Sequence, residues 1–243
     1  MCFPLTRTGK AEFFCEVIKD MHEMYSGPME ILDRLITRYP VLASSKEDIL
    51  AAYDALCGTF AAGNTLYLCG NGGSASDCGH IAGELMKAFT LRREPDEGFA
   101  NTLRTRYPTD AEYLLGKLER GLPAVPLTET ASLVTAVMND TAADTVFAQQ
   151  VYAMGKTNDA LLCISTSGNS RNCVLAAQTA QALGMRVISL TGGNESKLSA
   201  VSDVTVAVGA TETYKVQELH LPVYHALCLM LEYRFFGPHA EEA

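Results

Sequence analysis

Several signals that assign a sequence to a common class of protein are absent from this one. Its 243 residues include eight cysteines but no C-x-x-C pair, and no run approaches the ~18 apolar residues of a membrane span. The first residues lack the basic and then apolar stretch of a signal peptide. Lysine and arginine form no dense cluster, and the formal net charge is -9. We therefore expect a cytoplasmic protein with reduced cysteines that binds neither nucleic acid nor membranes.

Hydrophobic patterning predicts an α/β fold with extra N-terminal helices. Up to about residue 62, apolar residues recur every three or four positions, as in amphipathic helices. Five short apolar runs then alternate with helical stretches, which is typical of strands buried on both faces of a parallel sheet. The runs cover residues 65–69, 124–127, 160–164, 187–190 and 204–208. We predict helices in 1–62, a three-layer, doubly wound, five-stranded parallel sheet in 63–236, and a tail in 237–243.

The polar stretch 90–122 interrupts this alternation and is predicted to be an insertion. Short helices are expected near 97–106 and 109–120. A connection of this length inside a compact fold is usually either functional or inserted. A lid, an interface element and a plain surface insertion all remain open.

Two loops have the composition of anion-binding turns. GNGGS (residues 70–74) and STSGNS (165–170) each follow a predicted strand and open a predicted helix. Glycine permits close backbone approach, hydroxyls donate hydrogen bonds, and a helix N-terminus attracts negative charge. Each loop alone could be an ordinary turn, but two at the carboxyl edge of one sheet predict a phosphate site. Neither is a Walker A or G-x-G-x-x-G sequence, so we expect no nucleotide or redox cofactor.

Titratable side chains cluster on two predicted helices. His80 and Glu84 are four residues apart, which places them on one helix face. His220 and His225 lie in the last helix, where either could be a core or interface residue. Pro222, between them, is expected to kink or delay that helix.

These motifs together resemble the phosphoheptose isomerase branch of the SIS (sugar isomerase) family. The resemblance runs from about residue 45 to 235, outside the insertion, through GNGGS, D-x-x-H-x-x-x-E ending at Glu84, Asn139-Asp140, STSGNS and Q-E-x-H-x-x-x-x-H ending at His225. It implies conversion of sedoheptulose 7-phosphate to D-glycero-D-manno-heptose 7-phosphate through an enediol. Glu84 and His225 would be the acid/base pair. Substrate binding would fall to Asn71, Gly72, Gly73, Ser74, Asp140, Ser165, Thr166, Ser167, Ser170 and Gln217.

The resemblance also implies zinc and a homotetramer with shared active sites. The metal set would be His80, Glu84, Gln217 and His225, and all of these are acceptable zinc ligands. In a regular helix, however, residues 217 and 225 are ~12 Å apart along the axis. One metal can bind both only where the chain around Gln217 is not yet regular helix, or where two subunits contribute.

Two alternatives stay open. The same reaction could act on another phosphosugar, because a phosphate grip is generic. A non-catalytic binding protein, like the relative that associates with the DnaA replication initiator, is disfavoured because the whole metal set is present. Apolar stripes at Phe13, Phe14, Val17 and Ile18 and at Leu32, Leu35 and Ile36 favour a homo-oligomer, although they could simply cover the sheet.

Overall fold

A computed structural model describes residues 25–238 of the protein. The strands are β1 (Leu66–Gly70), β2 (Ala124–Pro126), β3 (Ala160–Ser165), β4 (Arg186–Thr191) and β5 (Val204–Ala207). The α-helices are α1 (Pro28–Arg38), α2 (Lys46–Ala61), α3 (Gly73–Met86), α4 (Glu97–Arg106), α5 (Ala111–Leu115), α6 (Ala131–Asp140), α7 (Val146–Met154), α8 (Arg171–Ala182) and α9 (Thr213–Phe236).

The five strands form one parallel sheet in the order β2-β1-β3-β4-β5. The predicted fold class is confirmed, and each predicted strand lies within a residue or so of the observed one. The order reverses between β1 and β3, because the chain leaves β1 for β2 on one side and returns to β3 on the other. Ligands of open α/β sheets bind at this reversal, outside the carboxyl ends of the strands. GNGGS follows β1 and STSGNS begins at the end of β3, so both predicted loops lie there.

Alternate strand residues bury themselves in two separate cores. Leu66 and Leu68 of β1 face one core, which α1, α2, α3 and α9 complete. Tyr67 and Cys69 face the other, which is closed by α6, α7 and α8. Successive side chains of a strand point to opposite faces, so near-continuous apolar strands need helices on both sides. This explains the three layers.

The helix α1 belongs to the first of these cores. Its buried residues Ile31, Leu32 and Leu35 pack into that core, so this part of the stripe covers the sheet within the protomer. The stripe at Phe13, Phe14, Val17 and Ile18 lies outside the described residues. Between residues 25 and 238, no helix is long and apolar enough to cross a membrane.

Backbone hydrogen bonds hold the two ends of the insertion side by side. The backbone N–H of Leu122 donates to the Leu85 carbonyl (2.9 Å), and that of Arg120 donates to the Arg93 carbonyl (2.8 Å). The predicted helix at 97–106 is confirmed as α4, which starts at an Asp96 N-cap. The second predicted helix is only the short α5, because Gly116 and the residues after it leave the helix. The insertion therefore begins and ends beside the last turn of α3.

Candidate active site

The GNGGS loop turns sharply from β1 into α3. Gly72 has φ +57°, a left-handed conformation that favours glycine, and it caps α3. Gly73 lies directly against Gln217, since a Cβ there would be 2.6 Å from Nε2 of Gln217 and would displace that side chain. Ser74, the next residue, is buried in the first turn of the helix. The loop thus brings the N-terminus of α3 and the Gln217 amide to one place.

The STSGNS loop makes a second such turn from β3 into α8. Ser165 is buried, and its hydroxyl donates to Oγ of Ser170 (3.1 Å), which directly precedes the helix. Ser167 is exposed, and its Oγ accepts from the backbone N–H of Asn169 (3.2 Å). Thr166 is half-buried, and its carbonyl accepts from the Gly192 N–H in the loop after β4 (3.1 Å). Hydroxyl groups and a helix N-terminus therefore meet here, as the sequence predicts.

A reciprocal amide pair joins the GNGGS loop to the first turn of α8, which directly follows the STSGNS loop. Nδ2 of Asn71 donates to Oδ1 of Asn172 (3.0 Å), and Nδ2 of Asn172 donates to Oδ1 of Asn71 (2.8 Å). Asn71 was predicted to contact the sugar, whereas Asn172 was not singled out. The strands β1 and β3 pair in register, so the residues after them were bound to be neighbours. The identity of the partner on α8 had no signal in the sequence.

His80 and Glu84 are held in place by a chain of hydrogen bonds. Nε2 of His80 lies 3.0 Å from Oε1 of Glu84, one helical turn away on α3. On its other side, Nδ1 of His80 lies 3.0 Å from the Tyr224 hydroxyl, which donates to Asp77 (3.3 Å). Burial raises the pKa of Asp77, and the hydrogen bond from Tyr224 and the electrostatic effect of His80 counter part of that rise. The chain fixes the imidazole and therefore the carboxylate beside it.

His225 of α9 completes the cluster. Its ring meets that of His80 edge-on at a centroid distance of 5.0 Å, and the Phe89 ring lies 5.7 Å away. Burial lowers the pKa of His225, with a smaller contribution from His80, while Glu84 acts in the opposite direction. Its Nε2 is buried and has no hydrogen-bond partner among residues 25–238. A neutral imidazole with an unengaged nitrogen therefore lies next to the His80–Glu84 pair.

Two predicted substrate residues are not drawn into this cluster. Gln217 lies against Gly73 at the loop, two helical turns before His225. Asp140 is the exposed last residue of α6, where it accepts a bond from Asn139 (2.8 Å). Within the described part of the chain, no hydrogen bond or ion pair links Asp140 with either loop. Its role in sugar binding remains a prediction.

The predicted zinc set fits in part, and its three neighbouring members would have to turn towards one point to bind a metal ion. His80, Glu84 and His225 are neighbours with suitable chemistry, and a hydrogen bond to the far nitrogen of a histidine is the usual support of a metal ligand. The fourth member does not join them. The helix α9 begins at Thr213 and continues through Pro222, so Gln217 and His225 lie in one helix, and the expected delay of that helix is wrong. Over residues 25–238, no three His, Cys, Asp or Glu side chains stand ready to hold a metal ion.

The fold is that of proteins with an SIS domain. The sequence profile of that domain matches residues 115–192. Two solved structures share this fold. The phosphoheptose isomerase GmhA of Neisseria gonorrhoeae has a TM-score of 0.62 at 29% identity, covering 91% of this chain and 96% of that one. A phosphoheptose isomerase of Francisella tularensis has a TM-score of 0.63 at 27% identity, covering 82% and 97%.

Sequence relatives narrow the assignment. The phosphoheptose isomerase of Akkermansia muciniphila is 34% identical over 199 residues, which cover 82% of this chain and 92% of the relative. That of a Synechocystis species is 35% identical over 189 residues, covering 78% and 84%. The chain therefore belongs to the phosphoheptose isomerase family and is an enzyme of the phosphosugar isomerase class.

Proposed function

We propose that the protein converts sedoheptulose 7-phosphate to D-glycero-D-manno-heptose 7-phosphate. The observation that carries the proposal is the meeting of Glu84, His80 and His225, with the imidazole of His80 3.0 Å from the carboxylate and 5.0 Å, centroid to centroid, from the ring of His225. The names of the relatives supply the sugar. The cluster supplies groups that such a reaction requires.

The reaction moves one proton between C1 and C2 of the sugar. The Glu84 carboxylate takes the proton from C1 of the ketose, and His225 gives a proton to the C2 oxygen, which yields an enediol. Return of a proton to C2 and loss of the proton on the C1 oxygen then produce the aldose. A carboxylate and an imidazole are sufficient general base and acid for these steps. The lowered pKa of His225 suits this role, because a neutral ring can both donate and accept a proton.

The phosphate end of the substrate would be held by neutral groups. The chain carries a formal charge of -9, so attraction of an anion must come from local dipoles. Ser74, Ser165, Thr166, Ser167 and Ser170 line the two turns, and the N-termini of α3 and α8 start there. Helix N–H groups and hydroxyls bind phosphate without a cationic side chain.

Zinc binding is proposed separately from the isomerase reaction. His80, Glu84 and His225 would hold it, and a bound zinc ion would polarise the substrate carbonyl. The support is the buried, unpartnered Nε2 of His225 beside the oriented His80. Metal analysis of protein purified without chelator tests it. A zinc content near one per chain, lost in His80→Ala, is expected.

The homotetramer is also proposed. Its support is the separation of Gln217 from His225 along α9. In a site shared between subunits, one of these two residues would come from the neighbouring subunit. Light scattering after gel filtration measures the mass. A monomeric mass would contradict the tetramer. Gln217 would then act beside Gly73 of its own subunit.

The deciding experiment is a discontinuous assay of the purified protein with sedoheptulose 7-phosphate, with zinc and with a chelator. Glu84→Gln is expected to abolish turnover while the phosphosugar still binds. Glu47→Gln, an exposed glutamate in the first turn of α2, is the matched control and should be unaffected. Turnover of a different phosphosugar in preference would keep the reaction and change the substrate. Absence of turnover with any phosphosugar would favour a non-catalytic binding protein.

A further inference from the structure

A completely buried ion pair lies beneath the cluster, on the side away from the loops. Arg93, where the chain enters the insertion, meets Glu232 of α9, and neither side chain has exposed surface. Nη2 and Nε of Arg93 donate to Oε1 of Glu232 at 2.8 and 3.0 Å. Burying two charges is costly, so such a pair depends on further hydrogen bonds that satisfy both partners.

The remaining donors of Arg93 go to the end of α3. Nη2 donates to the carbonyl of Glu84 (2.9 Å), and Nη1 donates to the carbonyl of Leu85 (2.6 Å). The helix ends at Met86, and the last four carbonyls of a helix have no partner within it. Arg93 therefore fixes the backbone of the residue whose carboxylate is the proposed base.

The remaining acceptors of Glu232 hold the segment that packs on His225. Its carboxylate accepts from the backbone N–H of Phe89 (2.8 Å) and from the N–H and hydroxyl of Thr90 (2.9 and 2.6 Å). The Phe89 ring in turn lies against the His225 ring. Glu232 also follows His225 by seven residues, so the two share one face of α9.

We infer that the Arg93–Glu232 pair is a positioning unit that sets the separation of Glu84 and His225. The ion pair acts on Glu84, the proposed base, through its backbone carbonyl, and on His225, the proposed acid, through Phe89. It lies beneath Glu84 and His225, away from the groups expected to touch substrate. The inference rests on the proposed acid/base roles of those two residues. The inference gives Arg93, at the start of the insertion, a structural role in the acid/base cluster. Its signature is a loss of kcat with KM retained.

The test is a set of variants assayed at 25 °C for kcat and KM, with circular dichroism to establish folding. Arg93→Lys keeps the charge but loses the planar fork that reaches both carbonyls. The double variant Arg93→Met/Glu232→Leu replaces the pair by apolar groups, which often preserves the stability of a protein. Both should lower kcat about ten- to a hundredfold, because small displacements of catalytic groups cost that much. KM should stay within about twofold, since the ion pair contacts the C-terminal end of α3, whereas the GNGGS loop lies at its N-terminal start.

Arg120→Met is the matched control, because Arg120 stacks on the same Phe236 ring as Arg93 but is exposed. Its kcat should equal that of the unmodified protein. A folded double variant or Arg93→Lys with unchanged kcat would overturn the inference alone. A rise in KM equal to the fall in kcat would also overturn it, because that pattern reports a general loss of structure. An unmodified protein without turnover would instead overturn the proposed function, and the inference with it.

Discussion

The proposed phosphate loops (residues 70–74 and 165–170) and the proposed acid/base cluster (His80, Glu84 and His225) are two halves of one candidate site, and they are built in different ways. The loops consist of turns whose work is done by backbone geometry, with Gly72 in a left-handed conformation and hydroxyls at helix starts. The cluster consists of side chains from α3 and α9, about 140 residues apart, held by Tyr224 and a buried ion pair. One half is local in sequence and the other is assembled by packing.

The difference predicts how each half fails. Substitution in a loop removes one of several neutral hydrogen bonds, so affinity for the phosphosugar falls while the chemical step is kept. Substitution in the cluster removes a group used in the transition state, so kcat falls while affinity is kept. Burial also lowers the pKa of His225 in the cluster, because its ring loses water when it packs against His80, Tyr224 and Phe89.

The largest effect that distinguishes the two halves is expected from His225→Gln. The amide cannot transfer a proton, so kcat should fall by about 10² to 10⁴, with KM little changed. The measurement is steady-state kinetics with the phosphosugar that the unmodified protein turns over best. A rise in KM with kcat preserved would move His225 from the acid/base half to the binding half.

His220, a second histidine on α9, is buried but has no proposed role in catalysis. His220 is fully buried, neither ring nitrogen makes a hydrogen bond of ordinary geometry within residues 25–238, and burial lowers its pKa to about 4 despite an opposing effect of the Thr191 backbone. The folded state keeps the ring neutral, whereas the unfolded chain protonates it near pH 6.5. Stability is thus complete above pH 6.5 and falls as the pH drops towards 4, by about 3 kcal/mol in total.

His220→Met should flatten this part of the pH dependence. Urea unfolding at pH 7 and pH 5 measures it, and the unmodified protein should lose about 2 kcal/mol more than the variant between the two. Carboxylates titrate equally in both proteins, so the difference isolates the histidine. Equal losses would show that His220 is already protonated or hydrated in the folded protein. Activity at pH 7 should be unchanged, which sets His220 apart from His225.

The sequence predicts the loop half better than the cluster half, for a physical reason. Glycine and hydroxyl turns at strand ends are visible in a few consecutive residues, and the five apolar runs fix which ends share an edge. His80 and Glu84 are visible through their helical spacing. Tyr224, Phe89, Arg93 and Glu232 are not, because their roles depend on which helices pack together. The pairing of a charged residue at 93 with one at 232 becomes evident only when α9 lies against α3.

The loop half should respond through KM. Ser165→Ala and Ser170→Ala each remove one partner of the 3.1 Å hydroxyl pair and one donor to the phosphate. A hydrogen bond to a charged group contributes about 1.5 kcal/mol or more, so KM should rise roughly tenfold with kcat within about twofold. Ser202→Ala, whose hydroxyl donates to the Leu198 carbonyl, is a control outside both loops. A fall in kcat alone would show that these loops also place the reacting carbons.

The smallest effect is expected where the two loops are tied together. Asn172→Ala removes both amide bonds to Asn71, each worth about 1 kcal/mol or less, and should raise KM about two- to fivefold. Asn172→Asp keeps an acceptor for Nδ2 of Asn71 but adds a negative charge in the first turn of α8. If the phosphate binds at that helix start, Asp repels it, and KM must rise more for Asp than for Ala, with a gap that narrows at high salt. Equal KM values would show that the phosphate binds away from this amide pair, and the start of α8 would then support the fold of the site rather than the ligand.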